Sequence, residues 1–179
     1  MNVKVDVFLE YLVKRRGSGK TALYRLLIVL GVIVTAVLML MLSGLFRTFS
    51  MIFMLIFAAA CYGAWYLFTS LNVEFEYIVT NGEMDVDRIV AQRKRKRLVT
   101  VSFRSMEMMA PLSGDHRREL ESQGRGCKLL DASVSPEEKG TYCIIAHTEK
   151  QGQVKLLFSP DDRILKSAQA AAPRKVFTV

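Results

Sequence analysis

Between Arg25 and Arg47 the chain carries no charged residue, and between Arg47 and Glu74 it again carries none. The first gap holds 21 residues, 26–46, and the second holds 26, 48–73. A helix rises about 1.5 Å per residue, so 21 residues span about 31 Å, the hydrocarbon thickness of a bilayer. Backbone polar groups in that layer must be satisfied internally, which restricts an isolated apolar run to a helix. The two gaps therefore predict two transmembrane helices, roughly Leu26–Leu45 and Phe49–Phe68. The link Phe46-Arg47-Thr48 leaves room only for a tight hairpin.

Charge sets the expected direction of insertion. Residues 1–25 carry a net +4, residues 26–70 only Arg47, and residues 71–179 a net +3. Loops rich in Lys and Arg stay in the cytoplasm. Lys14, Arg15, Arg16, Lys20 and Arg25 precede the first helix, so both termini are expected to be cytoplasmic in a multi-pass protein of the cell membrane. Tyr24, Trp65, Tyr66 and Phe68 would mark the inner interface, with Phe46 and Phe49 at the outer one. A secretory signal is the rival reading of the first run, but the run is too long and a second follows. Neither helix holds a charged residue, which disfavours transport. Gly31 and Thr35 on the first helix, and Ala59, Ala60, Gly63 and Ala64 on the second, offer small faces for helix–helix packing.

Three segments follow from this frame: a basic N-terminal segment over 1–22, the hairpin over 23–70, and a cytosolic domain over 71–179. In the first, Val5, Phe8, Leu9, Leu12 and Val13 recur at helical spacing, which predicts an interfacial helix on the inner leaflet. A helix docked on the soluble part fits equally well. Gly17-Ser18-Gly19-Lys20-Thr21 imitates the end of a phosphate-binding loop, but Lys14 stands where the pattern needs its first glycine. It reads instead as a flexible joint.

The cytosolic part opens with Val73–Thr80, alternating and β-branched, then Asn81-Gly82, the strongest short hairpin signal, then Glu83–Val90. Further strands are expected at Arg97–Phe103, Met106–Ala110, Cys127–Ser133, Tyr142–Thr148 and Val154–Phe158. The polar stretch 113–126 reads as a loop with a helical turn near Arg117–Ser122. Ser159-Pro160-Asp161-Asp162 has the form of a helix start, with Ser159 as cap, and Pro173 stops that helix. This gives six or seven antiparallel strands and one closing helix.

That order resembles a bacterial pleckstrin-homology-like (PH-like) domain on a two-helix anchor, similar to small membrane proteins of Gram-positive bacteria. The resemblance rests on Glu76-Tyr77-Ile78-Val79-Thr80-Asn81-Gly82-Glu83-Met84-Asp85-Val86-Asp87-Arg88-Ile89 and Arg93-Lys94-Arg95-Lys96-Arg97. The late run Phe158–Leu165, leading to Pro173-Arg174-Lys175-Val176, adds to it. It implies an α+β membrane protein: a transmembrane hairpin followed by an antiparallel β-rich, partly open barrel with a C-terminal helix. No activity comes with it.

Catalytic chemistry is sparse, and neither a cofactor nor a metal is expected. Cys61, Cys127 and Cys143 have no paired spacing and read as free thiols. Cys143 and His147 lie four apart on one strand, too few ligands for zinc unless Cys127 joins them. Asp85 and Asp87 alternate with Met84 and Val86 and read as solvent-facing. The strongest polar feature is Arg93, Lys94, Arg95, Lys96 and Arg97. In a strand, Arg93, Arg95 and Arg97 share one face and the two lysines the other. The run reads either as a charged edge that blocks strand-to-strand association or as a contact for anionic phospholipid or another membrane protein. Nucleic acid is disfavoured, because no aromatic residue interleaves with the bases. The expected role is a membrane-anchored, non-catalytic binding module or scaffold. The alternative is a small membrane-bound enzyme acting on a lipid or anionic substrate.

Overall fold

The computed structural model describes residues 8–136 and 140–178. The chain divides into two compact units: the residues up to Arg16 together with those from Val73 onward, and Gly17–Asn72.

The second unit is the helical pair. Helix α1 runs Gly19–Leu45, a 3-10 turn covers Arg47–Phe49, and helix α2 runs Ser50–Ser70. Mean hydropathy reaches 2.9 and 1.9 in their most apolar windows, and both are long enough to cross a membrane. Helix α1 starts seven residues before Leu26 because nothing in Lys20–Arg25 breaks a helix, and Ser18 takes the N-cap position. Ile28, Val32, Thr35, Ala36 and Met39 of α1, and Phe53, Phe57, Ala60, Gly63 and Ala64 of α2, are among the half-buried residues of the two helices. Their spacing of three and four residues is that of a helix pair.

The first unit holds two four-stranded sheets. Strands β1 (Phe8–Lys14), β2 (Val73–Thr80), β3 (Glu83–Val90) and β4 (Lys94–Ser102) form the first in that order, all antiparallel. Strands β5 (Met108–Pro111), β6 (Lys128–Asp131), β7 (Tyr142–Thr148) and β8 (Gly152–Phe158) form the second, ordered β5-β7-β8-β6. Among the described residues no strand pair joins the two sheets, so the barrel stays open. Phe75, Tyr77 and Val79 of β2, Met84 and Val86 of β3, and Ile144, Leu156 and Phe158 of the second sheet fill the core between them. Helix α4 (Asp162–Ala171) adds Ile164 and Ala168 to this core.

Three expectations are corrected here. The N-terminal segment is a strand over 8–14, not a helix; Val5 and the rest of 1–7 lie outside the described residues. Its apolar residues satisfy both periods, and pairing with β2 from Phe8↔Thr80 to Lys14↔Glu74 selects the strand, with Val13 buried and Leu9 and Tyr11 against the core. The described strands therefore number eight, and β6 pairs with β8 in parallel. The helix cap is Asp161, whose Oδ1 accepts from the Ile164 N–H at 2.9 Å; Ser159 Oγ accepts from the Val134 N–H instead. The helical turn expected near Arg117–Ser122 is present as helix α3 (Arg117–Gln123), whose Leu120 is buried against Met108, Ala110, Cys143, Ile145 and Leu157. The second sheet is thus covered on both faces.

The Asn81-Gly82 turn has φ of 53° and 87°, the left-handed pair a two-residue hairpin requires. The β3–β4 turn repeats that geometry at Ala91 and Gln92, with φ of 54° and 56°, where side chains make it costly.

Candidate functional site

The five-base run starts in the β3–β4 turn and continues along β4, an edge strand. A bulge decides where each base goes. Val86 pairs with Val99, but Asp87 pairs with Arg97, so Leu98 is passed over. A one-residue slip exchanges the two faces of a strand. Without the bulge Lys94 and Lys96 would stand on the outer face beside Asp85 and Asp87; with it, Arg95 and Arg97 do.

On that face Glu76 and Asp87 lie directly opposite each other, each only 4% exposed. Two neighbouring carboxylates repel unless cations bridge them. Arg95 bridges them, its Nε donating to Asp87 Oδ2 at 2.8 Å and its Nη2 reaching Glu76 Oε2. Arg97 Nε donates to Asp87 Oδ1 at 2.7 Å and its Nη1 to Asp85 Oδ2 at 2.6 Å. Thr100 Oγ1 donates to Asp85 Oδ1 at 2.6 Å. The Asp87 bond, foremost, raises the Arg97 pKa above its ordinary value. Asp87 is therefore an enclosed anchor, not the solvent-facing carboxylate its alternation suggested.

Lys94 and Lys96 occupy the other face, where Lys96 stands opposite Arg88. All three are exposed and none forms an ion pair with a described residue. Like charges placed opposite each other destabilise a sheet, so this face gains from an anion. Arg88 is the residue that the consecutive run did not reveal; only cross-strand register brings it to the lysines.

The bases before the hairpin divide in the same manner. Arg15 Nη2 donates to Asp131 Oδ2 at 2.5 Å, and its guanidinium lies 5.9 Å from the Phe75 ring centre. Arg25 Nη2 donates to Asn72 Oδ1 at 2.9 Å and stacks 5.3 Å from Phe68. Lys14, Arg16 and Lys20 stay exposed, Lys14 in register with Glu74. Of the small hairpin residues, Thr35 and Gly63 are half-buried while Gly31 and Ala59 are exposed. A Cβ added at Gly31 or Gly63 would meet no atom within 4 Å. Ala60 and Ala64 of the same small-residue face are half-buried with Gly63.

Cys143 points into the cluster around Leu120, and burial pushes its thiol up to about 11. His147 is exposed and lines an open cleft of about 440 Å³ between β4 and the β7–β8 turn; neither Cys127 nor Cys143 lines it. Among the described residues no three His, Cys, Asp or Glu side chains are grouped to hold a metal. A thiol reagent at pH 8 is expected to label Cys127 within minutes and to leave Cys143 unmodified until the domain unfolds. Equal labelling in the native protein would contradict its enclosure. Because the folded pKa is the higher one, this thiol's contribution to stability is complete below about pH 9 and fades as pH rises toward 11.

One spatial relation ties these parts together. Lys14, Glu74, Ile89 and Arg95 form one row across the first sheet. The chain leaves for the helices after β1 and returns at β2, at the end of the sheet where β3 turns into β4. Strands lie about 4.8 Å apart, so the turn is one to two spacings from the β2 connection and two to three from the β1 connection, about 5–14 Å.

A protein family described as Bacterial PH-like domain (DUF6106) matches residues 5–178. Comparison with curated proteins and with solved structures finds no match for the chain.

Proposed function

This chain belongs to the bacterial PH-like domain family, and from that premise we propose that it is a membrane-anchored binding module whose basic sheet end contacts anionic phospholipid. The two helices anchor it as a hairpin. Pairing of β1 with β2 requires residues 14 and 74 to be on one side of the bilayer. Lys14, Arg16 and Lys20 make that side the cytoplasm. The observation that carries the lipid contact is the β3–β4 register: Lys94 stands opposite Val90 and Lys96 opposite Arg88, at the sheet end from which the chain passes to the hairpin. A leaflet potential decays over about 8 Å, so these charges contribute when this end of the sheet faces the membrane. Arg95 and Arg97 serve the fold, because their charge is met by Glu76, Asp85 and Asp87.

The test uses a soluble form in which residues 1–16 are joined to 73–179 by a short turn, so that β1 is kept. It is mixed with liposomes with and without anionic lipid. Binding is expected to need anionic lipid and to weaken with salt. Each base near a charged leaflet contributes about 1 kcal/mol, so changing Arg88, Lys94 and Lys96 together to Gln should weaken binding by about 100-fold. Undiminished binding by the triple variant would reject the lipid role and leave β4 as a charged edge that resists strand pairing.

A further inference from the structure

The soluble unit is discontinuous in sequence: among the described residues, β1 precedes the hairpin and β2 to β8 follow it. We infer that this arrangement is a topological lock: the domain closes only when both ends of the hairpin lie on the same side of the membrane. Its folding therefore enforces a two-crossing insertion and exposes any chain inserted with one crossing. This rests on the reading that both helices cross the bilayer.

Strand β1 is not a dispensable flap. It pairs with β2 over seven positions, from Phe8↔Thr80 to Lys14↔Glu74. Val13 is buried in the main core, and the Tyr11 ring lies 6.3 Å from that of Tyr77. The residues that follow it bind the end of β6 and the loop after it: Arg15 holds Asp131, and the Arg16 N–H donates to the Val134 carbonyl at 2.8 Å. Without β1, the edge of β2 loses its backbone partners beside fully buried Phe75, Tyr77 and Val79. Buried backbone groups left unpaired are costly. Only Gly17 and Ser18 separate Arg16 from α1, so β1 cannot reach β2 across about 30 Å of hydrocarbon. A chain with one crossing would then carry an open core on one side and a stray strand on the other.

The experiment compares three chains by limited proteolysis in membrane vesicles opened to protease on both faces. One is the full chain. The second replaces Ser50–Ser70 with a polar Gly/Ser segment of equal length, leaving one crossing. The third is that one-crossing chain with a second copy of residues 8–16 placed before Val73 through a short turn. Cleavage by protease tracks the open population when closing is fast, so the one-crossing chain should be cut within residues 73–178 about 100-fold faster than the full chain. The added strand should restore resistance. Resistance of the one-crossing chain without the added strand would overturn the inference. So would failure of the added strand to restore it, since the loss would then come from α2 itself. Alkaline carbonate washing checks the premise separately: release of the full chain from membranes would reject the crossing helices, whatever the proteolysis shows.

Discussion

Tyr77→Ala is expected to destabilise the soluble unit by about 3–5 kcal/mol. The ring is fully buried on the inner face of β2, edge-on to Phe158 with 5.7 Å between centroids. Its hydroxyl donates to the Ala132 carbonyl at 2.5 Å and accepts from the Ser159 N–H at 3.1 Å. One side chain thus joins the first sheet to the loop after β6 and to the segment that leads into α4. Loss of a buried aromatic costs about 3–5 kcal/mol, against a total of about 5–15 kcal/mol for a domain. Tyr77→Phe keeps the ring and isolates the hydroxyl; two buried backbone groups then lose their partner, at about 1–3 kcal/mol. Thermal unfolding of the full chain in detergent, followed by near-ultraviolet circular dichroism, measures both. A Tyr77→Phe protein as stable as the parent would show that the bridge carries no stability.

The same side chain sets a pH response. Burial raises the Tyr77 pKa above its ordinary value of 10.0. A group whose folded pKa is raised contributes stability that is complete below the unfolded value and is lost as pH rises past it. Alkaline destabilisation above about pH 10 should therefore be shallower in Tyr77→Phe than in the parent.

Asp87→Ala is expected to cost about 2–3 kcal/mol. Removing one partner of a buried charge pair costs about 3–5 kcal/mol, and the estimate is lowered because Arg95 and Arg97 are half exposed and can turn to water. Asp87 holds Arg97 at 2.7 Å and Arg95 at 2.8 Å and is the common point of the cluster. Its removal leaves Arg95 to Glu76 alone and Arg97 to Asp85 alone. A double-mutant cycle between Asp87→Asn and Arg97→Gln should show a coupling of about 1 kcal/mol or more. Additive effects would mean that the pair is a surface contact of no energetic weight. Arg95→Gln and Arg97→Gln should reduce stability while leaving most lipid affinity. This separates them from Lys94 and Lys96 in the same five-residue run.

Much of the fold was legible because it depends on local pattern. Two charge-free runs determine the helical pair by length alone. Asn81-Gly82 determines the first complete hairpin, since its residues adopt the φ that the turn needs. Val73–Thr80 alternates cleanly and is a strand over those residues. The body of α4 follows from Ile164, Ala168 and the stop at Pro173, although its cap lies two residues later than Ser159 suggested.

The remaining features depend on partners distant in the chain. Residues 8–14 fit a helix or a strand equally, and β2, beyond a 56-residue insertion, selects the strand. The stretch 113–126 looks polar because only Leu120 is needed to cover the second sheet's outer face. The candidate site shows the same division. Five bases in a row announce a charged surface. The passage over Leu98 then decides which of them are neutralised by buried acids and which join Arg88. A bulge belongs to two strands at once, and the side it gives each charge is set by pairing that no single stretch of sequence contains.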